Sequence, residues 1–364
     1  MIVKEVADIL EELAPLSLAE EYDNVGLLLG DPQSEVSGIL VTLDALENVV
    51  DEAISRKFNL IVTFHPIIFS GLKKITGRTY VERVVQKALK HNINIYSMHT
   101  ALDNVSQGVN GKLCEVLGIE NPQILIQKTN TIKKLTTYIP VNAVEKVKDA
   151  LFTAGGGAIG NYSHCSFTLE GKGSFMPEKG SAPTLGKKGE IEITDELQLH
   201  MTFPERLEKK IVRALFDSHP YEEVAYEVIT LDNTNPSEGM GMIGMLPEPM
   251  KEADFLAMVK DKMKVGCIRH SAFRNKKIQR VAVLGGSGAF AISAARAEGA
   301  DAFVTSDLKY HQFFEAEESI LLADIGHYES EQYTKNLLVD YLTKKIPNFA
   351  VALSESKTNP IKYY

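Results

Sequence analysis

Two stretches decide the fold class: LIVTFHP, Leu60–Pro66, and INIYSMHTALD, Ile93–Asp103. Each is a continuous apolar run of strand length that ends at a histidine. A strand apolar on both faces belongs in a sheet covered on both sides. Between the two runs, Tyr80–His91 has helical spacing. Upstream, GILVTL (Gly38–Leu43) is a third such strand, flanked by helical patterns at Val3–Leu13 and Ala45–Ser55. Strand and helix therefore alternate, which predicts an α/β domain. In such domains ligands sit beyond the carboxyl ends of the strands, and FHP and HTALD both fall there.

The texture changes from Lys133 to Leu231. TYIPVNAVEKVKDALF (Thr137–Phe152) and TFPERLEKKIVRALF (Thr202–Phe216) repeat one pattern, with ALF closing a helix at the same distance from Pro140 and from Pro204. Each helix leads to a further strand, SHCSFTL (Ser163–Leu169) or VAYEVITL (Val224–Leu231), so two β-α-β units stand in tandem. That order predicts a ferredoxin-like α+β domain. The Gly, Pro, Ser and Lys-rich stretch GKGSFMPEKGSAPTLGKKG reads as a loop or hairpin, and DNTNPSEGMG (Asp232–Gly241) as a linker. Beyond it come a helix at Ala253–Met263, strands at Arg280–Leu284, Ala302–Thr305 and Ser319–Ile325, and a final helix from about Ser330 to Lys345. The expected architecture is a split α/β domain with a mixed sheet, residues 1–128 and 236–364, interrupted by an inserted domain at 129–235.

The chain has 364 residues, 44% of them hydrophobic and 24% charged, with a formal net charge of −9. No lysine- or arginine-rich block supplies the basic footprint that nucleic acid requires. The three cysteines, Cys114, Cys165 and Cys267, form no C-x-x-C pair, against a zinc ribbon, a redox motif or a disulfide scaffold. The amphipathic, acidic start MIVKEVADILEELAPL lacks the form of a signal peptide. No run approaches the ~20 apolar residues of a membrane span. The expectation is a cytoplasmic protein.

Three strand ends carry candidate ligands: His65 in TFHPIIF, His99 and Asp103 in HTALD, and His327 and Glu331 in GHYESE. His327 and Glu331 are spaced to share a helix face; His99 and Asp103 have the same spacing, although Thr100–Asp103 also reads as loop. Imidazole with carboxylate suits zinc, iron, manganese or nickel. Each of the nine histidines taken singly reads equally as a cap, a turn or a core hydrogen bond; the residues alone leave both readings open. Gly285–Gly288 (GGSG) lacks the third glycine of a dinucleotide fingerprint and reads as a tight β-α turn. In SDLKYHQ (Ser306–Gln312), Lys309 and His311 are either anion-binding groups at the cleft rim or a solvated helix start. HPYEEVAYEV, with His219, Glu222 and Glu223, reads as a structural turn and strand.

Taken in order, EEYDNVGLLLGDP (Glu20–Pro32), TFHPIIFSGLKKI (Thr63–Ile75), MHTALDN (Met98–Asn104), VAVLGGSG (Val281–Gly288), VTSDLKYHQ (Val304–Gln312) and DIGHYESE (Asp324–Glu331) resemble the signatures of the Nif-three-like family. Members of that family carry the label GTP cyclohydrolase I type 2 homologue. The resemblance implies a PII- or CutA-like insert, a toroidal homohexamer and a dinuclear metal centre. Carried over by motif, His65, Asp103, His327 and Glu331 would be ligands. Asp103 would share the ion of His65, His327 would hold the second ion, and Glu331 would bridge. His99 would be a neighbour of the ligands. Phe64 departs from the pattern, because the family usually has histidine there; the second ion loses a donor, which implies one or two divalent ions (zinc, iron or manganese) per chain. Tyr22 stands where tryptophan is common, and Ser306 where glycine is. The implied function is a metal-dependent hydrolase acting on a nucleotide or related small molecule. The alternative is a non-catalytic metal-binding, metal-chaperone or regulatory scaffold protein.

Overall fold

The computed structural model describes residues 1–364. The chain divides into two compact units, one formed by residues 1–127 with 236–364 and the other by 128–235.

The first unit contains two mixed sheets, where the sequence predicts one. The first runs in the order Gly26–Leu29, Asn94–Ser97, Leu60–Thr63, Ile39–Thr42, Val351–Leu353. Its last four strands are parallel and only Gly26–Leu29 is antiparallel. The continuous apolar character of these strands has the expected cause, since both faces are covered. Ile39, Val41, Leu60, Val62 and Tyr96 pack with the helices Val3–Leu13 and Thr334–Lys345. Leu40, Ile61 and Ile95 pack on the opposite face with Glu47–Arg56 and Tyr80–Lys90.

The second sheet runs Arg269–His270, Leu321–Asp324, Ala302–Ser306, Lys277–Ser287, Asn235–Lys251, Glu120–Lys128. Its central strands are parallel and it too is apolar on both faces. Val281, Val283, Val304 and Ala323 meet Phe255 and Leu113, while Ala282, Phe303 and Leu322 meet Ile292 and Ala295.

Of the two readings of His99–Asp103, the helical one holds: it is a short helix. Two local expectations are corrected. Much of the expected linker at 232–241 is strand, because Asn235–Lys251 runs between Lys277–Ser287 and Glu120–Lys128 in the six-stranded sheet. Glycine there has a packing reason: a Cβ on Gly239 would sit 2.0 Å from the carbonyl of Ile126. The final helix is two helices, His327–Glu331 and Thr334–Lys345. No helix is long and apolar enough to cross a membrane.

The second unit has the order Ile132–Pro140, Val144–Thr153, Phe167–Phe175, Glu192–Pro204, Glu208–Ser218, Tyr226–Leu231, a β-α-β-β-α-β sequence. Its antiparallel sheet runs Phe167–Phe175, Glu192–Pro204, Ile132–Pro140, Tyr226–Leu231. Both helices pack on one face through Val147, Leu151, Ile211 and Leu215 against Leu135, Ile139, Leu199 and Met201. The strand expected at Ser163–Leu169 begins only at Phe167 and runs through GKGSF, so that of the two readings of that stretch, loop or hairpin, its first part follows the hairpin, paired antiparallel with Glu192–Pro204.

Ile61 is fully buried at the centre of the first sheet. Ile61→Ala is expected to destabilise the unit by about 2–5 kcal/mol. Leu89→Ser, at a half-exposed helix position, should stay within about 0.5 kcal/mol. Chemical denaturation of both variants measures the difference; equal losses would contradict this packing.

Candidate metal centre

The parallel strands of both sheets in the first unit deliver polar side chains from their carboxyl ends to one cleft. Asp44 follows Ile39–Thr42, and His65 follows Leu60–Thr63. His99 and Asp103 open and close the short helix after Asn94–Ser97. From the second sheet, Asp307 follows Ala302–Ser306, and the helix His327–Glu331 follows Leu321–Asp324. Gly326 makes that last turn at φ +91°, a conformation few side chains tolerate. The helix then sets His327 and Glu331 one turn apart.

Ligand-capable atoms of His65, His327 and Glu331 all lie within 4.8 Å of one another. Glu331 Oε2 is 3.1 Å from His65 Nε2 and 3.3 Å from His327 Nε2, and the two Nε2 atoms are 3.4 Å apart. Both rings are aimed from behind. Asp44 Oδ1 is 2.8 Å from His65 Nδ1, and Asp307 Oδ2 is 2.7 Å from His327 Nδ1. A carboxylate on Nδ1 fixes the ring and leaves Nε2 as the coordinating atom, the arrangement behind most histidine metal ligands.

The electrostatics suit a cation. Burial alone would raise the Glu331 carboxyl, but the His327 and His65 imidazoles hold it down at about 2. Burial would depress both imidazoles; instead Asp44 and Glu331 lift His65 to about 9, and Asp307 and Glu331 lift His327 to about 10. Protons thus occupy the space that a cation would take. Asp103 is driven well above the carboxylate range by burial and by the Glu331 charge. Its Oδ1 is buried without a hydrogen-bond partner, while Glu331 Oε2 faces the two imidazoles alone. A buried carboxylate between two converging imidazole nitrogens is a donor set apt for a divalent ion; Asp103 lines the same cleft but lies outside that three-residue group. The residues therefore fit the metal that the motifs imply.

His99 lies on the same cleft, with φ +21° and Nδ1 2.8 Å from Asp23 Oδ1. Burial raises the Asp23 carboxyl, yet hydrogen bonds from His99 and Thr100 outweigh it and hold Asp23 at about 2. The cleft, about 210 Å³, is lined by Tyr22, His99, Asp103, Gly286, His327 and Glu331 among others. Lys309 and His311 are exposed and do not line it. The glycine turn binds inward rather than outward: Gly285 N donates to Asn110 Oδ1 and Gly286 N to Ser330 Oγ. A Cβ on Gly286 would lie 2.4 Å from Glu331 Oε1, so that glycine makes room for the carboxylate. Phe64 is fully buried in the apolar cluster behind the site, its ring centroid 5.0 Å from that of His65.

Sequence reasoning missed Asp23, Asp44 and Asp307. Each sits in a motif or at a strand end already singled out, and strand-end position was the available signal. In SDLKYHQ attention went to the lysine and histidine rather than to the aspartate that touches His327.

The family model for Duf34/NIF3 (NGG1p interacting factor 3) matches residues 1–360. A Bacillus subtilis (strain 168) protein named GTP cyclohydrolase 1 type 2 homolog is 37% identical over 370 residues, covering 99% of this chain and 98% of the relative. A crystal structure of a Bacillus cereus protein related to NIF3 superposes with a TM-score of 0.87 at 36% identity, covering 100% of this chain and 99% of that one. A Staphylococcus aureus protein of known structure gives 0.80 at 32% identity, with 100% and 99% coverage. With matches from end to end and the motifs meeting at one cleft, the chain belongs to the Duf34/NIF3 family.

Proposed function

We propose that this protein is a metal-dependent hydrolase of a nucleotide or related small molecule, with His65, Asp103, His327 and Glu331 as the metal ligands. The observation that carries the proposal is the convergence of two oriented imidazole Nε2 atoms on the buried Oε2 of Glu331, in a cleft that Asp103, with its own unpartnered Oδ1, also lines. A zinc, iron or manganese ion held there would supply Lewis acidity to a water. Asp44 and Asp307 keep the imidazoles aimed. His99, held through Nδ1 by Asp23, keeps Nε2 free to pass a proton to or from a substrate in the cleft. At about 210 Å³ the cleft accepts the reacting part of a substrate and leaves the remainder outside. The name of the Bacillus subtilis relative suggests GTP as the first substrate to test.

The proposal extends to organisation. Residues 129–235 are taken as a ferredoxin-like insert of the PII or CutA kind, supported by the β-α-β-β-α-β order. Residues 1–128 and 236–364 are taken as the two halves of the catalytic domain. A homohexamer is supported by the exposed aromatics Tyr310 and Phe314. Sparse cysteines support a cytoplasmic setting.

A second reading, a non-catalytic metal-binding or regulatory protein, is favoured by Phe64. A buried phenyl ring beside His65 offers no lone pair where a second ion would need a donor.

The purified protein is expected to hold one equivalent of transition metal per chain by elemental analysis, and Glu331→Gln to hold almost none. Two equivalents would refute the argument from Phe64, and full retention by the variant would refute the ligand assignment. Asp44→Ala and Asp307→Ala are each expected to weaken metal affinity about 10–100-fold; competition with a chromogenic chelator measures it, and unchanged affinity would mean the carboxylates do not orient the rings. GTP should be turned over with zinc, manganese or ferrous iron by the parent chain and not by Glu331→Gln. Absence of turnover in every metal at high enzyme concentration would leave the regulatory reading.

A further inference from the structure

A second concavity lies wholly within the 128–235 unit, on the sheet face turned away from its two helices. Register places its floor. Glu196 stands opposite Gly171, and Gln198 opposite Tyr138 and Leu169. The alternating residues Leu197 and Leu199 point the other way, toward the helix-covered core. The cavity measures about 560 Å³, within the range of small-molecule sites.

Two glycines open it. A Cβ on Gly171 would meet nothing within 4 Å, whereas one on Gly173 would fall 2.2 Å from Glu196 Oε2. The space above the carboxylate thus depends on missing side chains at alternate strand positions, in a strand where glycine is otherwise unfavourable. The 176–185 loop closes one side, with Ala182 N donating to Glu222 Oε1 at 2.7 Å and Thr184 Oγ1 to the Pro220 carbonyl at 2.9 Å. Tyr138, Phe175 and Tyr221 contribute rings to the lining.

The chemistry of the lining selects the ligand class. Glu196 is buried, only 9% exposed, and its Oε1 accepts from Tyr221 Oη at 2.8 Å. One neutral donor leaves most of a buried carboxylate charge uncompensated. Glu170, Glu178, Glu222 and Glu223 add to the negative field, and the only basic residue of the lining, Lys172, is paired with Asp195 at 2.6 Å. A bare metal ion would need several donors at one point; the lining carboxylates form no such group with Glu196, and the adjacent imidazole has no lone pair to give. His219 Nε2 lies 3.0 Å from the Tyr138 carbonyl, and its Nδ1 accepts from Tyr221 N at 3.1 Å. An ammonium group brings its own hydrogen-bond donors and is attracted to ring faces.

We propose that this cavity binds a small organic cation, its ammonium group seated on Glu196 Oε2 and its apolar or aromatic body packed among Tyr138, Phe175 and Tyr221. This site is separate from the metal centre and stands whether or not the hydrolase reading does.

Isothermal titration of the full chain, stripped of metal with a chelator, tests it with three probes of one shape: benzylammonium, benzyl alcohol and benzoate. Benzylammonium should bind about tenfold or more tightly than either of the others. Glu196→Gln, which keeps the acceptor for Tyr221, should reduce benzylammonium to the level of benzyl alcohol. Gly171→Leu, which fills the open space, should remove binding of both. Equal binding of the three probes, no benzylammonium binding at millimolar concentration, or retention of its binding by either variant would overturn the proposal. The comparison of probes on the parent chain needs no variant, so misfolding cannot mask the outcome.

Discussion

The first unit depends on a single electrostatic problem: the buried carboxylate of Glu331 faced by the Nε2 atoms of His65 and His327. A charge so deep is tolerated only when it is compensated and its partners cannot turn away. Asp44 and Asp307 meet that condition by holding the far nitrogen of each ring. The result is a layered arrangement, outer carboxylate to imidazole to inner carboxylate, repeated from both sides. Asp103, buried on the same cleft with one oxygen unpartnered, lies outside that arrangement.

The need for two sheets follows from the same constraint. A single row of strand ends could present His65 and Asp103, or His327 and Asp307, but not both rings from opposing directions. Each sheet therefore supplies one aimed imidazole. The contact between the two halves is tight because glycine is used where side chains would block it. A Cβ on Gly285 would come within 2.8 Å of Val109 in the other half, and within its own half one on Gly286 would come within 2.4 Å of Glu331. The chain leaves this unit along Glu120–Lys128 and returns along Asn235–Lys251, neighbours in the six-stranded sheet. Close exit and return points are what allow a long segment to intervene without disturbing the surrounding strands.

How much was legible in the sequence differs between levels. Strands such as Leu60–Thr63 were plain because burial on both faces demands unbroken apolar runs. The spacing of His327 and Glu331 was plain because a helix turn converts it directly into proximity. The supporting aspartates were not, because carboxylates at strand ends are common and only the fold reveals which of them meets an imidazole. Glycine misled twice for one physical reason. At 232–241 and at 171–173 it suggested loop, yet in both places it lies in a strand where another group comes too near for a side chain, the Ile126 carbonyl at Gly239 and Glu196 at Gly173.

The two units then answer one question differently: what balances a buried acid. Glu331 is faced by two imidazole Nε2 atoms whose Nδ1 atoms are held by carboxylates, so the deprotonated rings turn two lone pairs and a carboxylate oxygen on one point, the donor set of a transition ion. Glu196 has a phenolic hydroxyl, three ring systems in the lining of its cavity, and an imidazole whose nitrogens are both engaged. The ligand atoms there do not converge on one point, while donors carried on an ammonium meet acceptor oxygen and aromatic faces. Charge sign alone would make the two places equivalent. Their difference comes from whether the neighbouring groups offer lone pairs or ring faces, and that is a property of position in the fold rather than of composition.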